Sequence, residues 1–105
     1  MPRPDRKTSA IGFAMKAGKL QSGDFIAEKL LRAGKARLLL LDEAASDNTS
    51  EKYRALCESR GVTLLRVEEL GLWIGKPGRM TAAVTDEHFA AMIKRAFAED
   101  TAKGE

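Results

Sequence analysis

Leu38-Leu39-Leu40-Leu41, closed by Asp42-Glu43, is the stretch on which the architecture turns. So short an apolar run, ended by acids, predicts a strand covered on both faces, because successive strand side chains point to opposite sides and here neither side is polar. Downstream, Ser46-Asp47-Asn48-Thr49 is dense in capping residues, and Tyr53, Leu56 and Cys57 fall on one helical face before Gly61 stops it. Val62 to Val67 then predicts a second strand. Strand, helix and strand make a βαβ unit with a right-handed crossover.

Upstream of the leucines, Lys7 to Ala17 spaces Ile11, Ala14 and Met15 as a helix that Gly18 ends. Ser22 reads as the N-cap of a second helix, with Ile26, Ala27, Leu30 and Leu31 on its buried face and Gly34 as its stop. Residues 1–6, with two prolines and alternating charge, read as a flexible arm. Past the second strand, Leu70, Trp73 and Ile74 suggest one or two helical turns. Gly75-Lys76-Pro77-Gly78-Arg79 follows as an exposed basic loop. Met80 to Val84 is a third strand, and Thr85 is placed to cap a last helix whose Phe89, Met92, Ile93, Ala96 and Phe97 face inward. Residues 98–105 should fray. The fold class is α/β: a three-layer α/β/α sandwich with a small mixed central sheet, forming one domain over residues 1–105.

A chain of 105 residues has material for one core, and 44% hydrophobic with 31% charged residues is ordinary globular composition. No run of about 18 apolar residues is present to span a bilayer, and Met1 to Lys7 lacks the apolar stretch of a secretory signal. Cys57 is the sole cysteine, so no internal disulfide can form, and no Cys or His cluster has zinc spacing. These features predict a cytoplasmic protein with no membrane partner, no cofactor and no metal.

Charge is polarised along the chain. Residues 1–37 carry nine Lys or Arg against three Asp or Glu, and the remaining 68 carry nine against twelve. The basic third contains Ala17-Gly18-Lys19-Leu20-Gln21-Ser22-Gly23, a turn leading into a helix start. The free N–H groups of such a start, flanked by cations, suit a phosphate backbone. Nucleic acid is therefore the first partner to consider.

Other candidates have plainer readings. Asp42, Glu43 and Asp47 follow a buried strand, where carboxylates can face a Mg²⁺ or phosphoacceptor crevice. No later strand offers the partner lysine, so solvation of a helix start is the better account. His88 has no Ser or Cys placed to be activated. Cys57 lies on an apolar stripe and reads as a buried inert thiol, and Trp73 as a core or hinge anchor.

Several pieces, in order, resemble the L7Ae/L30e superfamily of ribosomal and kink-turn RNA-binding proteins, closest to its small bacterial ribosome-associated branch. They are Ala17-Gly18-Lys19-Leu20 before Gly23, Gly34-Lys35-Ala36 before the leucines, Asn48-Thr49 at a helix start, Leu70-Gly71 with Gly75, and Thr85-Asp86 with Phe89. The resemblance covers roughly Ile11 to Phe97. It implies an α/β/α sandwich that binds RNA without catalysis through the start of the second helix and the loop before the last strand. Here those are Gly23 onward and Gly75 to Arg79. Kink-turn readers place Asn and Glu two and three positions beyond that glycine to bond guanine edges, whereas this chain has Phe25 and Ile26, which cannot.

The resulting expectation is non-catalytic binding of structured RNA, ribosomal or kink-turn-like, with ribosome or assembly proteins as further partners. Lys16, Lys19, Gly23, Asp24, Lys29, Arg32, Lys76 and Arg79 are the expected contact residues. The alternative is a protein-interaction module of the translation or ribosome-assembly machinery, using Phe25 and Ile26 as an apolar patch.

Overall fold

Alternate leucines of the central strand divide the interior in two. In the computed structural model, which describes residues 4–103, the elements run α1 (Arg6–Lys16), β1 (Leu20–Ser22), α2 (Asp24–Arg32), β2 (Leu38–Asp42), α3 (Asp47–Arg60), β3 (Leu64–Val67), α4 (Leu70–Trp73), β4 (Thr81–Val84) and α5 (Glu87–Lys103). Leu38 and Leu40 point to one face of the sheet, against Ile11 and Ala14 of α1, Leu70 of α4 and Ile93 of α5. Leu39 and Leu41 point to the other, against Ala27 and Leu31 of α2 and Tyr53 and Cys57 of α3. All four leucines are fully buried. At about 1.5–3 kcal/mol for each buried leucine, this strand is the main tie between the two helical layers.

The sheet has the order β1-β4-β2-β3 and is mixed, as expected. β2 and β3 are parallel, joined by α3, with Leu39 opposite Leu64. β4 lies antiparallel to β2, and β1 antiparallel to β4 with Leu20 opposite Val84. The sheet has two distinct ends. At the near end β2 and β3 finish, β4 begins and β1 runs out at Ser22; at the far end the same strands start or stop at Leu38, Leu64, Val84 and Leu20.

β1 was not foreseen, because Leu20-Gln21-Ser22 carries one apolar residue and its strand character comes from pairing with residues 82–84. Ser22 is consequently a strand residue and not the cap of α2, whose N-cap is Gly23. The last helix is capped by Asp86, whose carboxylate accepts from the Phe89 N–H at 2.9 Å, while the Thr85 hydroxyl turns to the Lys19 carbonyl. The expected arm over residues 1–6 is shorter: Asp5 caps α1 by accepting from the Thr8 N–H, Arg6 is already helical, and residues 1–3 lie outside the described part. That backbone bond holds the Asp5 carboxyl below its usual range. The fraying expected over residues 98–105 is also not seen as far as Lys103, and residues 104–105 again lie outside.

Among the described residues no helix is long and apolar enough to cross a membrane. Burial pushes the Cys57 thiol up to about 11, which keeps it protonated and unreactive near neutral pH. Trp73 packs, half-buried, against the α1–α5 core, in keeping with an anchoring role. Arg66, close to the acidic turn after β2, donates to Ser50 Oγ at 2.9 Å.

Candidate nucleic-acid interface

At the near end, two segments far apart in the chain meet backbone to side chain. Arg79 Nη1 donates to the Ser22 carbonyl at 2.8 Å, a contact across 57 residues. Beside it the Gly23 N–H donates to the Thr81 carbonyl at 2.9 Å. The loop before β4 is thereby fastened to the start of α2.

Gly23 makes this approach feasible. Its φ of 121° and ψ of 145° lie in a region that L side chains avoid. A Cβ there would stand 2.7 Å from Arg79 Nη1, so the guanidinium occupies the space a side chain would fill. Glycine also has no capping group. α1, α3 and α5 have side-chain acceptors at their starts, from Asp5, Ser46 and Asp86, whereas α2 has none. The first-turn N–H groups of Asp24, Phe25 and Ile26 therefore meet no side-chain acceptor of the cap residue, and Asp24 is the acidic residue of that turn.

Carboxylates near this helix start are neutralised from α3. The Tyr53 hydroxyl donates to the Asp24 backbone carbonyl at 2.8 Å and contacts the Asp24 carboxylate. Lys52 Nζ lies 3.5 Å from Asp24 and 2.7 Å from Glu28. Hydrogen bonds from Lys52 and then Arg32 hold the Glu28 carboxyl below its usual range, and the bond to Glu28 raises Lys52 in turn. Burial, reinforced by the Asp24 carboxylate, pushes the Tyr53 hydroxyl well above its ordinary value, so it stays a donor. Removing this hydroxyl in Tyr53→Phe leaves the α2 start less firmly held. A net hydrogen bond of about 1 kcal/mol predicts a melting midpoint lower by roughly 4–8 °C. An unchanged midpoint in differential scanning calorimetry would remove Tyr53 from the joint.

The loop itself is seated on α4. A Cβ on Gly71 would meet the Lys76 carbonyl at 2.8 Å, the Gly78 nitrogen at 3.1 Å and Pro77 Cα at 3.3 Å. The Lys76 N–H donates to the Gly71 carbonyl at 2.9 Å. Bare helical backbone therefore supports the segment that presents Lys76 and Arg79.

The expected contact residues divide. Gly23, Asp24, Lys76 and Arg79 share the near end. Lys19 lies at the other end of β1, where its carbonyl accepts from the Thr85 N–H at 2.9 Å, and Lys16 ends α1 on that same side. Gly23 is four steps of extended chain beyond Lys19, roughly 13 Å. Lys29 and Arg32 sit in the last turn of α2, and Arg32 is paired with Glu28 at 3.0 Å. The antiparallel run of β1 and the length of α2 carry these four cations away from the helix start.

Phe25 and Ile26 also part company. Phe25 is 81% exposed, whereas Ile26 is half-buried with its Cγ2 3.7 Å from where a Gly23 Cβ would stand. Two more exposed apolar side chains flank the loop, Leu72 of α4 and Met80 just before β4. Sequence reasoning missed Ser22, Lys52 and Tyr53 as parts of the joint, since their roles depend on contacts between elements. Gly71 alone left a trace, as a glycine within a helical stretch.

Known proteins give this arrangement a context. Residues 5–93 match the profile of the ribosomal protein L7Ae/L30e/S12e/Gadd45 family. The chain is 41% identical over 83 residues to the RNA-binding protein YlxQ of Bacillus subtilis, covering 76% of this chain and 83% of that protein. It is 33% identical over 87 residues to YlxQ of Enterococcus faecium, covering 80% and 84%. A Bacillus halodurans protein of unknown function superposes with a TM-score of 0.85 at 26% identity, covering 90% of this chain and 99% of that one. The Giardia lamblia 15.5kD RNA binding protein shares the fold, with a TM-score of 0.70 at 18% identity over 93% and 94% of the two chains. With residues 5–93 matched by its profile, the chain belongs to the L7Ae/L30e/S12e/Gadd45 family.

Proposed function

We propose that this protein binds structured RNA, ribosomal or kink-turn-like, in the cytoplasm and without catalysis, through the near end of the sheet. The observation that carries the reading is the Arg79–Ser22 contact, which joins the basic loop to the one long helix whose start lacks a side-chain cap. Helix-start N–H groups without a side-chain cap and two cations on a supported loop are what a phosphate backbone needs. The YlxQ relatives, which are RNA-binding proteins, support the same assignment. Phosphate contacts position an RNA and do not read its bases. The side chains at 25 and 26 have no groups to bond guanine edges, so recognition rests on backbone shape.

The test is fluorescence anisotropy with a kink-turn RNA and a plain duplex of equal length over a range of salt. Wild type should bind with log K falling linearly in log salt. A Lys76→Ala/Arg79→Ala double variant should reduce that slope by about 1.8, two phosphate contacts at roughly 0.9 each. Failure to bind either RNA at low salt would refute the proposal. It would favour the second reading, in which the exposed Phe25 ring anchors a protein of the translation or assembly machinery.

A further inference from the structure

Folding divides the cations that the sequence gathers in its first third, and many of them land at the far end of the sheet. Lys16 and Lys19 lie there, and so do Lys35 and Arg37, whose chain returns at that end: the Arg37 N–H donates to the Val84 carbonyl at 2.7 Å. A cleft of about 510 Å³ opens among the α2–β2 connection, the α3–β3 connection and the start of α5. Its cations are Arg37, Arg60 and Lys94, contributed by three separate parts of the chain.

Arg37 is oriented by donating to the Gly34 carbonyl at 3.2 Å, and its guanidinium lies 3.6 Å from Glu87. Glu87 is the sole carboxylate in the cleft wall, and its side chain is 80% exposed. Among the described residues, neither Arg60 nor Lys94 has an ion-pair partner. A helix dipole accounts for Arg60, which sits in the last turn of α3. It does not account for Arg37, between α2 and β2, or for Lys94, two turns into α5.

We propose that this far-end cleft binds the phosphodiester backbone of a second RNA segment, so that the protein bridges two RNA strands held at opposite ends of its sheet. The bridge rests on the near-end RNA reading; the cleft as an RNA site does not. The five residues of β2 separate the two ends by roughly 16 Å. An acidic protein would be the rival occupant of so basic a surface. The wall favours RNA, because beside the cations it offers the Ser59 and Thr63 hydroxyls and the backbone at Gly61, with no aromatic pocket of the kind that anchors a protein partner.

The experiment uses a short labelled RNA duplex in excess over the full chain at low salt, with stoichiometry read by sedimentation velocity. Wild type should carry two duplexes. Arg37→Ala/Arg60→Ala/Lys94→Ala should carry one, with the salt slope of its lost site near 2.7. Glu87→Gln removes the opposing charge and should tighten far-end binding severalfold, a gain that misfolding cannot mimic. Lys76→Ala/Arg79→Ala should weaken the other site, lowering its salt slope by about 1.8. If that double variant behaves as wild type while the triple variant loses all binding, the near-end reading fails and the cleft stands as the RNA site. A triple variant with wild-type stoichiometry and slope would overturn the inference. So would salt-dependent binding of poly-glutamate without binding of duplex.

Discussion

Gly23→Ala is expected to weaken RNA binding and to lower the melting midpoint, the latter by the largest margin of any single methyl addition at the near end. The backbone there has φ 121° and ψ 145°, a conformation costing a side-chain-bearing residue about 1–3 kcal/mol. For a domain of this size that is a fall of roughly 5–20 °C. The new methyl would also meet Arg79 Nη1 at 2.7 Å. That neighbour is the end of a flexible side chain, so it will swing away and surrender its bond to Ser22. Two costs are thus superposed, and a second substitution separates them. If backbone strain dominates, as the magnitudes indicate, Gly23→Ala/Arg79→Ala will recover little stability. Calorimetry showing full recovery would mean that the clash alone is responsible.

Gly71→Ala should do the reverse, harming binding more than stability. Gly71 lies within α4, and alanine is favoured over glycine in a helix by about 1 kcal/mol. Against this, its methyl would stand 2.8, 3.1 and 3.3 Å from three backbone atoms of residues 76–78, none of which can rotate aside. Overpacking of this kind costs about 1–3 kcal/mol, so the clash outweighs the propensity. The cheapest relief is for the loop to lift off α4, stretching the bond from the Lys76 N–H to the Gly71 carbonyl. Arg79 would then leave Ser22. RNA affinity should drop about tenfold or more while the midpoint moves by only a few degrees, and hydrogen exchange at the Lys76 amide should accelerate. Unchanged affinity would show that the loop does not depend on its helical seat.

How much of this could be read beforehand follows from the range of the interactions. The leucine run announces a doubly covered strand because burial on both faces is a local property of its side chains, and Ser46 and Gly61 announce the limits of α3 for the same reason. β1 is silent, because nothing in Leu20-Gln21-Ser22 records that residues 82–84 will lie beside it. The cap of α2 was misplaced by one residue for that cause: once Ser22 pairs in the sheet, the turn into the helix passes to Gly23. Arg79 and Lys76 were legible as cations on a glycine-proline loop, but the carbonyl that receives Arg79 was not. The polarised charge was visible too, yet its meaning changed with topology. A basic third that looks like one patch in sequence is folded back on itself, with α2 carrying Lys29 and Arg32 away from Gly23.

The span between Ser22 and Arg79 also sets a timetable. At about 5–20 residues per second of synthesis, the separation of 57 residues delays the arrival of Arg79 by roughly 3–11 seconds after Ser22 has been made. Throughout that interval β1 has no β4 to lie against, and the start of α2 has no guanidinium beside it. A nascent chain interrupted before β4 would lack the strand that lies between β1 and β2 and the helix that covers Leu38 and Leu40, so the joint forms only after the leucine strand has waited for its later neighbours.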